Sequence, residues 1–231
     1  IEVICQLRFP TILSIGSQEP AEFQEAIRHE FPQFVARQER PAPKITGLGT
    51  PDAKVEQQPP ITNYNFITQD GFWKLNLTSN FIALSTLRYT RWEDFALKLD
   101  KAVAAFLQIY HADYFERVGL RYVNAISKER LGLTDLLWDD LLQSPYIGIL
   151  GEPDVDEKEV NKCSLDIETR LGTDSRLKLH AGPGLLNGGK QDPKPRFILD
   201  QDLSTVGKLT PEQLPERLET LHGFEIGRAS C

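Results

Sequence analysis

Polar and apolar residues alternate through the first nine positions: Ile1, Val3, Cys5, Leu7 and Phe9 stand against Glu2, Gln6 and Arg8. Successive side chains of a strand point to opposite faces, so this pattern predicts a half-buried strand, ended by Pro10. Ile4 on the polar side indicates some cover there too. Pro20 then opens a helix at a position where its missing N–H costs nothing. Phe23, Ala26, Ile27 and Phe31 form its inward stripe, and Pro32 stops it. From Arg37 to Pro60 the periodicity lapses. Pro41, Pro43, Pro51, Pro59 and Pro60, with Gly47 and Gly49, predict a long, exposed, mobile loop over 37–60.

Three strands follow: Asn63 to Thr68, Phe72 to Leu77, and Phe81 to Arg88. Gln69-Asp70-Gly71 and Thr78-Ser79-Asn80 are too short to connect anything but antiparallel neighbours, so the three form a meander. Thr90-Arg91-Trp92-Glu93 reads as a capping box with Thr90 as N-cap. Trp92, Phe95, Leu99, Val103, Phe106 and Tyr110 then recur every three or four residues, predicting a helix about 30 Å long. A strand over Phe115 to Ile126 comes next, then a short helix over Leu131 to Leu142 and an acidic loop over 143–159. Strands are expected at Val160 to Leu171, Arg176 to Ala181 and Arg196 to Asp202, with Gly182-Pro183-Gly184 as a turn. Thr210-Pro211 starts a final helix with Leu214, Leu218 and Leu221 inward.

Strand, helix, three strands and helix thus occur twice. Clustered strands of this kind predict an α+β fold, with antiparallel sheets and helices packed on one face. Two related sheet-and-helix halves are expected, 1–130 and 131–231.

Composition narrows the function classes. The 231 residues are 40% hydrophobic and 26% charged, values of an ordinary globular chain. A net charge of −7 argues against general nucleic-acid binding. No apolar run is long enough to span a bilayer as a helix, and no signal peptide opens the chain, so a cytoplasmic protein with no membrane partner is expected. Cys5, Cys163 and Cys231 lack metal or redox spacing; Cys5 and Cys163 fall among apolar neighbours and read as buried small hydrophobes. Methionine is absent, where average usage would supply about five. Chance is one explanation; the other is that methionines and neighbouring loop residues are missing from the sequence, which predicts breaks in the Pro-rich stretch after Arg37, near Asn187-Gly188-Gly189-Lys190, and between His222 and Arg228.

Charges recur at alternate positions on four strands. In Glu116 to Asn124, Arg117, Gly119 and Arg121 share one face, and Gly119 predicts an open notch between two guanidiniums, suited to a planar anion. Arg170, Lys178 and His180 extend the set of anion-binding candidates, since all present donors to phosphate oxygens. Asp166, Glu168, Asp200 and Asp202 are the oxygen-ligand candidates for Mg²⁺ or Mn²⁺. Asp166-x-Glu168-x-Arg170 resembles the E-x-E-x-K strand of triphosphate tunnel enzymes, with Asp for Glu, Arg for Lys and an internal position. No G-x-S-x-G, P-loop or dinucleotide-binding motif occurs.

The opening E-V-I-C-Q-L-R-F-P, the helix F-Q-E-A-I-R-H-E-F-P, the A-L-S-T-L-R-Y-T-R-W-E-D-F turn and R-V-G-L-R-Y-V-N together resemble a sporadically distributed family of uncharacterised bacterial proteins. The likeness covers most of the chain and is most specific in residues 1–34 and 81–126. It implies organisation, and its patchy distribution suggests an accessory role in defence or mobile elements. The expected function is a binding or regulatory module contacting a protein partner or a phosphate-bearing ligand, with no cofactor. The alternatives are a metal-dependent phosphoryl-transfer or triphosphate-hydrolysing enzyme, and a structural subunit of a homo-oligomer.

Overall fold

Nine strands join into one antiparallel sheet, and which residues of each strand face the helices follows directly from the alternation. The computed structural model describes residues 2–40, 42–46, 54–58, 60–160, 162–185, 194 and 196–229. In chain order its elements are β1 (Glu2–Arg8), α1 (Leu13–Ser17), α2 (Ala21–Ile27), β2 (Gln33–Glu39), β3 (Lys44–Thr46), β4 (Lys54–Glu56), β5 (Ile61–Ile67), β6 (Trp73–Leu77) and β7 (Phe81–Thr86). Then come α3 (Trp92–Tyr110), β8 (Phe115–Ile126), α4 (Lys128–Leu131), α5 (Trp138–Leu141), α6 (Ser144–Ile147), β9 (Leu165–Leu171), β10 (Ser175–Gly184), β11 (Arg196–Leu209) and α7 (Leu214–Ala229). The strand order is β2-β5-β6-β7-β1-β8-β11-β10-β9, and the fold is α+β.

The order is palindromic about the β1–β8 seam. On one side lies the meander β7-β6-β5, followed in sequence by α3; on the other lies β11-β10-β9, followed by α7. β2 is the additional strand at one edge. One contiguous core runs through both parts, from Val3 to Leu221. Val3, Cys5 and Leu7 of β1, Val118, Leu120 and Tyr122 of β8, and Leu177, Leu179 and Ala181 of β10 are all buried on the same face. The α3 stripe meets them through Phe106 on Phe9 and Phe95 on Trp73 and Tyr89. Phe95 and Phe106 are fully buried, and each such side chain stabilises by about 1.5–3 kcal/mol relative to exposure. Burial pushes the Cys5 thiol far up, which keeps it a protonated core residue. No helix among the described residues is long and apolar enough to cross a membrane.

Several local expectations are corrected. The supposed loop from Arg37 continues β2, and Lys44–Thr46 pairs with Lys54–Glu56. Four residues separate the two ladders on each strand, so β3–β4 prolongs the β2–β5 hairpin in the same register, with Gln58 Nε2 donating to Ala42 O at 2.8 Å across the gap. Pro43 and Pro60 fall in that gap, where a residue without an N–H breaks a ladder. Residues 47–53, Asn187 to Lys190 and Cys231 lie outside the described residues; α7 runs unbroken through 222–228. The capping box at Thr90 does not form: Arg91 is the N-cap, and Arg91 and Thr90 instead bond Asp94. The helix expected over 131–142 is two separate turns, α4 and α5, interrupted after Gly132 in a left-handed conformation (φ 70°). The acidic stretch is partly helical, and Lys128 clasps Glu157 at 2.6 Å while Glu157 also accepts from the Trp138 N–H.

Gly182-Pro183-Gly184 is the end of β10 rather than a turn. The β9 ladder stops opposite Ala181, so no ladder bond of β9 calls for an N–H from Pro183. Thr210 is the N-cap before Pro211, as expected, and it also forms a capping box with Gln213 at N3.

α7 is held on the sheet by a buried polar contact. His222 stacks on Trp92 with ring centroids 4.5 Å apart, and its Nδ1 lies 2.9 Å from the Tyr122 hydroxyl oxygen. The Trp92 indole N–H donates to Glu219. Burial pushes the His222 pKa below its usual 6.5, while the charges of Glu219 and Glu93 oppose the shift. The unfolded chain therefore takes the proton first as pH falls, and stability declines from about pH 6.5 down to the depressed native value. Urea midpoints measured at pH 7.5 and 5.5 should show this loss in the wild type and a smaller loss in His222→Gln; equal losses would refute the assignment.

Candidate functional site

With all helices on one side, the other face of the sheet is left open, and every charged candidate projects from it. Two depressions lie there, lined only by strands and the residue after β2. One, of about 440 Å³, is bordered by Gln6, Asn63, Asn65, Lys74, Asn76 and Ser85 over β1, β5, β6 and β7. The second, of about 480 Å³, is bordered by Arg121, Asp166, Glu168, Lys178, His180, Asp200 and Asp202.

The register builds the second one. Directly opposed residues form the row Ile4, Arg121, Asp202, Lys178, Glu168 across β1, β8, β11, β10 and β9. The next row is Glu2, Val123, Asp200, His180, Asp166. Charges alternate in sign along the first row, the second sets Val123 and His180 between Glu2, Asp200 and Asp166, and side chains bond between neighbouring strands. Lys178 Nζ lies 3.1 Å from Glu168 and His180 Nδ1 lies 2.8 Å from Asp166. Arg121 donates from Nε to Asp200 at 2.7 Å and from Nη2 to its second oxygen, a fork that raises the guanidinium pKa further. Arg117 Nη2 reaches both oxygens of Asp202 at 3.1 and 3.2 Å, and its Nη1 contacts Gln6 Oε1 at 3.5 Å. Exposed pairs of this kind are each worth about 0–1 kcal/mol. The lattice therefore orders the face rather than holding the fold.

Gly119 has a different role from the expected open notch. A methyl built there would lie 3.0 Å from the Arg117 guanidinium carbon and closer still to one of its nitrogens. Arg117 itself occupies the notch. Its direct cross-strand partner is Val206, yet it lies along β8 over Gly119 to reach Asp202, the residue opposite Arg121. Arg121 in turn bonds Asp200, one row further on.

The anion-binding candidates Arg117, Arg121, Lys178 and His180 are thus each matched to one of the metal candidates. Arg170 stands apart, opposite Arg176. The four carboxylates share one face but come from β9 and β11, with β10 between them, and each is bonded by one of Arg117, Arg121, Lys178 and His180. Among the described residues no group of three or more His, Cys, Asp or Glu side chains has metal-holding geometry.

The amide-rich half was not foreseen as a site. Asn76 Nδ2 donates to Asn65 Oδ1 at 3.2 Å, and Asn65 Nδ2 to Asn63 O at 3.3 Å. Lys74, on the same face, has no ion-pair partner among the described residues. The signal was present in the alternation of Lys74 and Asn76 against Trp73, Leu75 and Leu77, but solvated strand faces carry the same pattern.

No protein-family model and no curated protein matches the chain.

If Arg117 depends on the empty position at Gly119, Gly119→Ala and Asp202→Asn remove the same contact. Each single variant should cost about 1 kcal/mol of unfolding free energy, and the double variant little more than either. Additive losses in a denaturant-based double-mutant cycle would disprove the coupling.

Proposed function

We propose that this chain is an intracellular binding module whose contact surface is the open face of the sheet. The observation that carries this reading is the uncovered face itself, with two adjoining depressions of different chemistry, one amide-lined and one lined by interleaved charges. Of the two partner classes, a protein fits better than a free phosphate-bearing ligand. Arg117, Arg121, Lys178 and His180 already have carboxylate partners, so a phosphate would replace one anion by another. A protein surface carrying both signs can exchange ion pairs along the whole row and gains specificity by doing so. The resemblance to sporadically distributed bacterial proteins supports an accessory role, as in defence or mobile elements.

The test is a paired substitution, Arg117→Ala with Arg121→Ala. The variant should keep the wild-type circular dichroism and lose bound partner in quantitative co-purification; an unchanged partner set would sink the proposal.

A second reading, a Mg²⁺- or Mn²⁺-dependent phosphoryl-transfer or triphosphate-hydrolysing enzyme, draws on the same depression, which gathers four carboxylates with Arg121, Lys178 and His180. Asp166, Glu168, Asp200 and Asp202 would first have to release His180, Lys178, Arg121 and Arg117. A saturating triphosphate bound only by the folded state would add about 3 kcal/mol at a hundredfold over its Kd. A thermal shift that requires triphosphate and metal together would favour this enzyme; none with nucleotides or polyphosphate, with or without metal, would leave the protein-binding reading in place.

A further inference from the structure

The two edges of the nine-stranded sheet are unequal. At one edge, Asp166 and Glu168 of β9 are engaged by His180 and Lys178 of β10. At the other, all seven residues of β2 are exposed, including Phe34 at 38% and Val35 at 39%. Natural edge strands are usually blunted by proline, lysine, a bulge or a covering element. Within Gln33–Glu39 there is no proline or lysine, and the register with β5 is unbroken over its whole length. The outer N–H and C=O groups of such a strand form a template for another strand.

We propose that β2 is a self-association edge, pairing antiparallel with β2 of a second copy about a two-fold axis. This goes beyond the binding role of the open face and does not depend on it. The choice of occupant rests on charge complementarity. Arg37 and Glu39 project on one face of the strand, and neither has an ion-pair partner among the described residues. A two-fold axis at Arg37 or at Glu39 would stack like charges on each other, which destabilises. An axis at Ala36 leaves both charges opposite uncharged residues. An axis at Gln38 sets Arg37 of each copy directly opposite Glu39 of the other, twice by symmetry. The contact is isologous and closes on itself, giving a dimer rather than a filament.

Light scattering on the full chain across a dilution series tests this. The wild type should form a concentration-dependent dimer. Arg37→Glu should face Glu39 with a like charge at both symmetric positions and weaken dimerisation about tenfold. Glu39→Arg should do the same, and the charge-swapped double variant should recover wild-type association. All four proteins must show the same circular dichroism and unfolding midpoint as monomers. Hydrogen exchange should show β2 amides protected at high concentration and not at low. A monomer at every concentration, or a dimer indifferent to the swap, overturns the proposal and leaves the edge to a different occupant.

Discussion

The antiparallel pairing of β1 with β8 is the contact on which the rest of the molecule depends. It joins two three-strand meanders that are far apart in sequence, since β7 pairs with β1 and β11 with β8. Its register sets Gln6 against Gly119 and Cys5 against Leu120, so Val3, Cys5, Leu7, Val118, Leu120 and Tyr122 all turn toward the helices. A slip of β8 by one residue against β1 would send Val118, Leu120 and Tyr122 to the open face and bring Arg117 and Arg121 into the core. The two apolar sets must agree in parity for either meander to contribute to a shared core, and they do.

On the opposite face the same register has a consequence for charge. Gly119 leaves room for Arg117 to lie along β8, and Arg117 then takes Asp202 from Arg121. The ion pairs are individually weak, but they are ordered by a single missing side chain in the centre of the sheet. An ion-pair lattice of this sort costs little to rearrange, as the proposed binding role of this face requires. A face paved with apolar residues would bind more strongly but would also associate without discrimination.

Much of the fold was legible because it rests on parity and on short connections. The meander of β5, β6 and β7, the stripe of α3 and the start of the last helix follow from alternation, from turns of two or three residues and from the Thr210-Pro211 signal. The misread segments are those where proline or capping chemistry was taken at face value. Prolines between β2 and β3 and between β4 and β5 suggested an irregular loop, whereas a hairpin simply skips those positions on both strands at once. Pro183 suggested a turn, although a strand end with one free side tolerates it. Thr90 lost its capping role to a neighbouring Arg91–Asp94 fork, 2.9 Å at each of two bonds, that local pattern alone does not rank. For the site, the alternation identified which charges share a face; it could not say that Arg117 and Arg121 would each reach a different aspartate, because that depends on cross-strand register between segments some eighty residues apart.

The contrast between the two halves of the open face is a further step. Around the seam, Asn65 and Asn76 on one side occupy sheet positions comparable to Arg170 and Arg176 on the other, since both pairs lie in the row of Gln6 and Gly119. The core faces of the two meanders are alike in being apolar, because each must bury against helices. The open faces are under no such constraint and differ: amides with Lys74 among them on one side, a row of ion pairs on the other. Burial accounts for the similarity and places no demand on the difference, so the difference is where a functional requirement would act. A ligand spanning the seam would meet amides and the Lys74 ammonium on one side and a lattice of ion pairs on the other. Only a partner with matching asymmetry satisfies both, which favours an extended macromolecular surface over a small symmetric anion.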